Sequence, residues 1–375
     1  MNIPFNIPYF CGKEANNLLL AAQSGKISGN GIFTKKCHTF FESKYGFKKV
    51  LLTNSCTTAL EMAALLINIS QGDEIIMPSF TFVSTATAFA IFGAKIIFAD
   101  SDIKNPNINI SEIENLITDK TKAIVVVHYA GVACDMDKIM EIANKHNIFV
   151  IEDAAHAIDS YYKGKPLGSI GHFGAFSFHE TKNIISGEGG MLAINDEKFV
   201  DRAEIIWDKG TNRAAFSRGE VNKYEWIDIG SSYLPSEMTA AFLFSQLDSL
   251  DLIQKLRKKI WNQYFNNLKP LEEKKLIKLA YFPDFATNNA NMFYILLKDY
   301  KQRNTLLDYL KKNNIQAVFH YLPLHSSKYY KANNEVRILK NCDYYSNCIL
   351  RLPFYNTLKK EQINFVCDKI KSFFE

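Results

Sequence analysis

The chain of 375 residues is 47% hydrophobic and 22% charged, with a formal net charge of +5; it is long enough for one large and one small unit, each with its own core, and its composition is ordinary for a globular enzyme. Basic residues are dispersed, the densest run (Lys255 to Lys259) reads as a solvated helix face and not as a nucleic-acid patch, and no apolar stretch, Ile124–Tyr129 included, is long enough to cross a bilayer. Seven cysteines without a CxxC pair argue against a disulfide framework and against a structural zinc site, and the segment MNIPFNIPYF has no basic stretch followed by an apolar run, so no secretory leader and a cytoplasmic setting are expected.

In chain order, Lys49–Thr53 predicts a strand and Thr57–Ile67 a helix. Glu74–Met77 predicts a strand, Val83–Phe92 a helix and Lys95–Ala99 a strand. Lys122–Tyr129 follows as a strand, Asp135–His146 as a helix and Ile148–Glu152 as a further strand. The strand runs are almost unbroken apolar stretches, as expected of strands buried on both faces, so the pattern predicts a parallel sheet covered by helices, an α/β sandwich. Beyond Asp153 the stretch Gly164–Gly190 is glycine-rich, with strands expected at Ala175–Phe178 and Met191–Ile194. One long helix, Ala241–Leu256 continuing toward Leu268, is expected to lead out of a large domain (1–250) into a small one (251–375). That small α+β unit has a strand at Met292–Leu297, a helix at Arg303–Asn313, a strand at Gln316–His320 and a final helix from about Lys360.

Ligands of open α/β sheets bind beyond the carboxyl ends of the strands, so the residues there carry the argument. After the first strand come Ser55, Cys56, Thr57 and Thr58 at a helix start, where free backbone N–H groups and the helix dipole suit a phosphate; an ordinary N-cap is the plainer alternative. After Ile148–Glu152 come Asp153 and His156. A carboxylate there can keep a pyridine nitrogen protonated and make the ring an electron sink, or it can simply cap the next helix. Next is FSFHETKN, residues 176–183, followed by GEGG at 187–190. A desolvated Lys182 would offer a nucleophilic amine for a Schiff base, Ser177 lies within reach of a phosphate, and the plainer alternative is a solvated loop lysine. A phosphate cradle, an acid for a ring nitrogen and a Schiff-base lysine, in that order and each beyond a predicted strand, are the requirements of pyridoxal 5'-phosphate.

These segments, NSCTTAL at 54–60, PSFTFVSTA at 78–86, EDAAHA at 152–157, FSFHETKN and GEGG, resemble the nucleotide-sugar aminotransferases of the DegT class, from Ser24-Gly25 to Leu352-Pro353. The resemblance implies the pyridoxal-phosphate fold type I: a large domain with a mostly parallel seven-stranded sheet in an α/β/α sandwich, and a smaller C-terminal domain. It implies Lys182 as the Schiff-base lysine, Asp153 at the ring nitrogen, His156 near the ring, Phe82 stacked on it, and Ser55, Cys56, Thr57 and Ser177 around the phosphate. It also implies a homodimer with shared active sites, in which Ser232 stands where the wider family has an Asn reaching the partner's phosphate, and Leu234 where many members have Arg. The substrates implied are L-glutamate and a nucleotide-linked ketosugar. The fragments VHYAGVAC, KGTNR, DIGSSYL and VFHYLPLH are closer to members that aminate a dTDP-linked 4-keto-6-deoxyhexose, His179 favours carbon 4 over carbon 3, and His320, Tyr321 and His325 are candidates for the sugar-facing wall or for packing. Against a dinucleotide binder, no GxGxxG follows a first strand. Against a non-catalytic relative or a dehydratase, Lys182 is present.

Overall fold

The computed structural model describes residues 1–335 and 337–375. Nine strands precede residue 200: β1 Lys49–Thr53, β2 Glu74–Pro78, β3 Lys95–Ala99, β4 Thr121–Val127, β5 Phe149–Asp153, the small hairpin of β6 Tyr161–Tyr162 and β7 Lys165–Pro166, β8 Phe173–Ser177 and β9 Gly190–Ile194. Seven of them form one sheet in the order β1-β9-β8-β5-β4-β2-β3. The pairs β2/β3, β2/β4, β4/β5 and β5/β8 are parallel, and β9 alone runs against both its neighbours. This is the mostly parallel seven-stranded sheet expected.

Alternation of side chains explains the unbroken apolar runs. Leu51, Ile75, Met77 and Val125 enter one core, while Val50, Leu52, Ile76, Ile124 and Val126 enter another on the opposite face. Both faces are therefore closed by helices. The helix Ile32–Tyr45 was not expected, and its start is fixed by buried Glu237: its carboxylate accepts the N–H groups of Gly31 (2.9 Å), Phe33 (2.7 Å) and Thr34 (3.1 Å) and the Thr34 hydroxyl. An anion at a helix start also meets the positive end of the dipole.

A third core surrounds the 24-residue helix Leu250–Glu273 and an antiparallel sheet of β10 Lys278–Leu279, β11 Tyr294–Leu296 and β12 Ile349–Arg351. Ile253 of that helix belongs to the second core, and Ile260, Trp261, Tyr264 and Leu268 to the third, so one helix joins the two. Residues 3–5 also pack here. Ile3 bridges Ile315, Phe5 N–H donates to Gln316 Oε1 (3.1 Å), and the Phe5 carbonyl accepts Phe354 N–H (3.0 Å).

Three expectations are corrected. The long helix is two helices, Glu237–Leu247 and Leu250–Glu273, because the chain leaves helical geometry at Ser249 (φ −115°, ψ 10°); Asp and Ser at such a joint compete with the helix for backbone partners. Gln316–His320 is not a regular strand. The chain there is held between Ile3 on one side and a single bridge from Val318 to Arg351 on the other. Tyr129 lies beyond β4 in a turn, Tyr129–Gly131, in which Ala130 takes a left-handed φ of 55°. Among the described residues no helix is long and apolar enough to cross a membrane.

Candidate active site

Register places the three predicted segments together. Gly190, at the start of β9, pairs with both Thr53 at the end of β1 and Ser177 at the end of β8, and Asp153 at the end of β5 pairs with Ala175. Beyond these ends lies a cleft of about 600 Å³, closed on the far side by Phe319, His320, Tyr321 and Arg351. Such a volume suits a cofactor or small-ligand site.

Ser55 caps the helix Cys56–Leu66. Its hydroxyl accepts Thr58 N–H (3.2 Å), and Thr58 Oγ1 in return accepts Ser55 N–H (3.1 Å). The N–H groups of Cys56 and Thr57, in the first turn, have no acceptor within the helix, and both residues line the cleft. Thr57 Oγ1 donates to Ser84 Oγ (2.8 Å). Close approach of β9 to this helix start requires glycine at 190: a Cβ there would stand 2.2 Å from the Ser55 carbonyl carbon and 2.5 Å from Cys56 N.

Asp153 is buried. Thr85 Oγ1 donates to its Oδ2 (2.7 Å) and Ala155 N–H to its Oδ1 (3.1 Å), and the Thr81 hydroxyl lies 2.8 Å behind Thr85. Burial raises the carboxyl's pKa, opposed by the Thr85 hydroxyl, the Ala155 amide and the charge of Lys182. Next to it, Glu152 points to the opposite side of the strand and accepts the N–H groups of Gly168 (2.7 Å), Ile170 (2.7 Å) and Gly171 (2.6 Å), with His128 Nε2 at 2.9 Å. This carboxylate has four donors and serves the fold, whereas Asp153 retains acceptor capacity toward the cleft.

His156 Nδ1 accepts Ala130 N–H (3.3 Å), which leaves the ring proton on Nε2, 3.4 Å from Tyr321 Oη. Burial and the nearby cations Lys182 and Arg351 hold its pKa well below the ordinary value, so the ring is neutral. Lys182 reaches the cleft from the turn after β8. Burial lowers its pKa to about 8, which Cys56 and Asp153 oppose and Arg351 reinforces. The neighbouring Asn183 locks this turn: its Nδ2 donates to Gln254 Oε1 and to the Asn289 carbonyl (both 2.8 Å), and Asn291 Nδ2 donates to its Oδ1 (2.8 Å). Asn289 Nδ2 also donates to the carbonyls of His156 (2.7 Å) and Ile158 (2.8 Å). Lys182 and His156 are thus fixed by one buried amide network from the C-terminal part of the chain.

Of the residues singled out from the sequence, Ser55, Cys56, Thr57, Phe82, Asp153, His156, Ser177, His179, Lys182, His320 and Tyr321 all line the cleft. His179 lies at its mouth, with Nδ1 3.0 Å from Thr181 Oγ1. Two lie elsewhere. His325 is buried with its Nδ1 2.7 Å from Ser79 Oγ, so it packs and does not form the cleft wall. Ser232 is exposed outside the cleft, where its carbonyl accepts Asn54 Nδ2 (3.0 Å). The sequence reading missed Thr81, Ser84, Thr85, Asn291 and Arg351. The first three lie within PSFTFVSTA, where their small hydroxyls were the available signal. Arg351 gave none, because the strand that carries it was not recognised. Among the described residues no group of three or more His, Cys, Asp or Glu is placed to hold a metal ion.

With this fold and cleft, the chain belongs to the DegT/DnrJ/EryC1/StrS aminotransferase family, which it matches over residues 11–371. It is 33% identical to GDP-perosamine synthase of Escherichia coli O157:H7, over 99% of this chain and 98% of that one, and 33% identical to the spore coat polysaccharide biosynthesis protein SpsC of Bacillus subtilis, over 98% and 96%. The chain Spr1654 of Streptococcus pneumoniae, solved in PLP and PMP forms, superposes with a TM-score of 0.92 at 24% identity in the PMP form, over 99% of this chain and 98% of that one. The protein is therefore an aminotransferase, and its cofactor is pyridoxal phosphate. The donor set fits that group. Unpartnered helix-start N–H groups suit its phosphate, a buried carboxylate with spare acceptor capacity its ring nitrogen, and an amine of lowered pKa its aldehyde.

Proposed function

We propose that this protein transfers the amino group of L-glutamate to carbon 4 of a dTDP-linked 4-keto-6-deoxyhexose, as a dTDP-4-amino-4,6-dideoxygalactose transaminase in a pathway to a surface polysaccharide. The observation that carries the transaminase chemistry is a lysine of lowered pKa in one cleft with a buried carboxylate and a helix start. Pyridoxal phosphate supplies a protonated pyridine that draws electrons from the carbon losing its proton. Asp153 holds the proton on that ring nitrogen. The Cys56 and Thr57 amides, with the Ser55 and Ser177 hydroxyls, hold the phosphate. Phe82 and His156 would bound the ring, and Lys182 Nζ, as base, would take the proton from the donor's α-carbon and then, as acid, deliver it across the intervening nitrogen, two bonds away. At a pKa of about 8, a useful fraction of Nζ is the free base near neutrality.

The sugar assignment is supported by the fragments shared with dTDP-sugar members and by His179 at the cleft mouth. His320 and Tyr321 supply the facing wall. A GDP- or UDP-linked ketosugar is the second reading, favoured by the relative named GDP-perosamine synthase.

We further propose a homodimer, supported by Phe216, Tyr224, Trp226, Ile227 and Ile229, five large apolar side chains exposed within a short segment that ends beside Ser232, and a cytoplasmic setting, supported by seven cysteines that are all free thiols. We place the division between the large and small domains inside the helix Leu250–Glu273, where its buried face passes from the second core to the third. The test is spectroscopic. Protein loaded with pyridoxal phosphate should show a visible band that moves into the near ultraviolet with L-glutamate, and dTDP-4-keto-6-deoxyglucose should restore it. Restoration only by a GDP- or UDP-linked ketosugar would favour the second reading, and absence of any visible band would refute the transaminase.

A further inference from the structure

Arg351 lines the cleft with a charged group that no side chain among the described residues pairs with, and of the cleft's lining atoms its Nε is the buried donor left without an acceptor. The side chain lies over the Phe5 ring, 4.8 Å from the centroid. An apolar ring on one side leaves the donors of the fork to the cleft. Its electrostatic neighbours are the hydroxyls of Tyr129 and Tyr321, with Lys182, His156 and His320 nearby, and burial lowers its pKa. No carboxylate compensates it: neither Asp153 nor any other acid forms an ion pair with it among the described residues, and Glu188 is exposed at the mouth.

The backbone, by contrast, is rigid. Arg351 pairs with Tyr294 across β11, and it exchanges N–H···O bonds with Val318 (2.8 and 3.0 Å), two residues before His320. A guanidinium removed from water without an acceptor is costly, and it is retained where an anion completes it. Its planar fork matches two oxygens of a carboxylate or a phosphate.

From this geometry we infer that Arg351 is the anion anchor of the cleft, holding two oxygens of a substrate: the carboxylate of the amino donor or the diphosphate of the nucleotide-linked sugar. The inference rests on the proposed transaminase reading for the identity of those two sources. Asp153, the helix start and Lys182 are all committed to the cofactor in that reading, so Arg351 is the cation left for the substrates.

The test is calorimetric titration of the cofactor-loaded protein with glutarate and, separately, with inorganic diphosphate, on wild type, R351M and R351K. Glutarate presents carboxylates but no amine to react. The expected result is that R351M weakens one probe by about 10- to 100-fold, the range of a charge-assisted pair, while R351K, which keeps the charge without the fork, weakens it less. Loss confined to glutarate identifies the donor carboxylate, and loss confined to diphosphate identifies the sugar nucleotide. The visible band of each protein, recorded first, reports cofactor loading and folding, so a failure of the transaminase reading would show there and not in the titrations. Equal binding by wild type and R351M, or binding of neither probe by wild type, would overturn the inference.

Discussion

Lys182 is held in a position that costs the empty protein stability. Its amine falls from the ordinary value of 10.5 to about 8 on folding. The folded state therefore binds fewer protons than the unfolded chain between those values. Below pH 8 the burial cost is fully present, and it vanishes as pH rises toward 10.5. Cofactor-free K182M should accordingly be more stable than wild type at pH 7, by up to about 3 kcal/mol, and the gap should close by pH 10; thermal melts at both values check this. The same variant should have no measurable transamination. Thr85 acts on the other partner. Replacing it with Val removes the hydroxyl that holds Asp153 Oδ2, a charge-assisted bond worth about 1.5–3 kcal/mol. Retention of pyridoxal phosphate, measured by equilibrium dialysis, should weaken about tenfold or more, with little change in the melting temperature of the loaded protein if the carboxylate is satisfied by the ring nitrogen.

The approach of β9 to the helix Cys56–Leu66 shapes the proposed phosphate cradle, and Gly190 makes that approach possible. In G190A the added carbon meets backbone atoms of Ser55 and Cys56 that cannot rotate away. Denaturant melts should show a loss of about 1–3 kcal/mol or more, and cofactor affinity should fall with it. The five parallel strands β2, β3, β4, β5 and β8, with β9 and the edge strand β1 beside it, were legible because apolar runs and the polar residues ending them are local signals. For the same reason Asp153, Lys182 and the 55–57 turn were found. What stayed hidden depends on distant partners. The helix Ile32–Tyr45 is specified by Glu237, some two hundred positions away. The short strand that mounts Arg351 exists because Tyr294 and Val318 flank it. His325, between a late turn and Ser79, had the right residue type and the wrong environment.

For the whole molecule, the exposed segment from Phe216 to Ile229 is the surface on which the proposed dimer is tested. W226D removes an indole that is 81% exposed and places a charge there. Sedimentation should give a dimer for wild type and a monomer for W226D, with the melting temperature of the monomer's own cores nearly unchanged. If both sediment as monomers, Ser232 has no partner cleft to enter, and each cleft must work with the residues of its own chain.

Ordering of the site also has a timetable. Phe5, which lies under Arg351, hydrogen-bonds to Gln316, 311 positions later. On a ribosome adding about 5–20 residues per second, that separation is a wait of roughly 15–60 s, during which residues 3–5 have no surface to join while the sheet with Lys182 and Asp153 is already synthesised. The sheet that carries the lysine and its acid can therefore form early, but Asn289 and Asn291, which lock the turn of Lys182, arrive only shortly before Gln316, so a nascent chain should hold cofactor firmly only once that late segment has emerged.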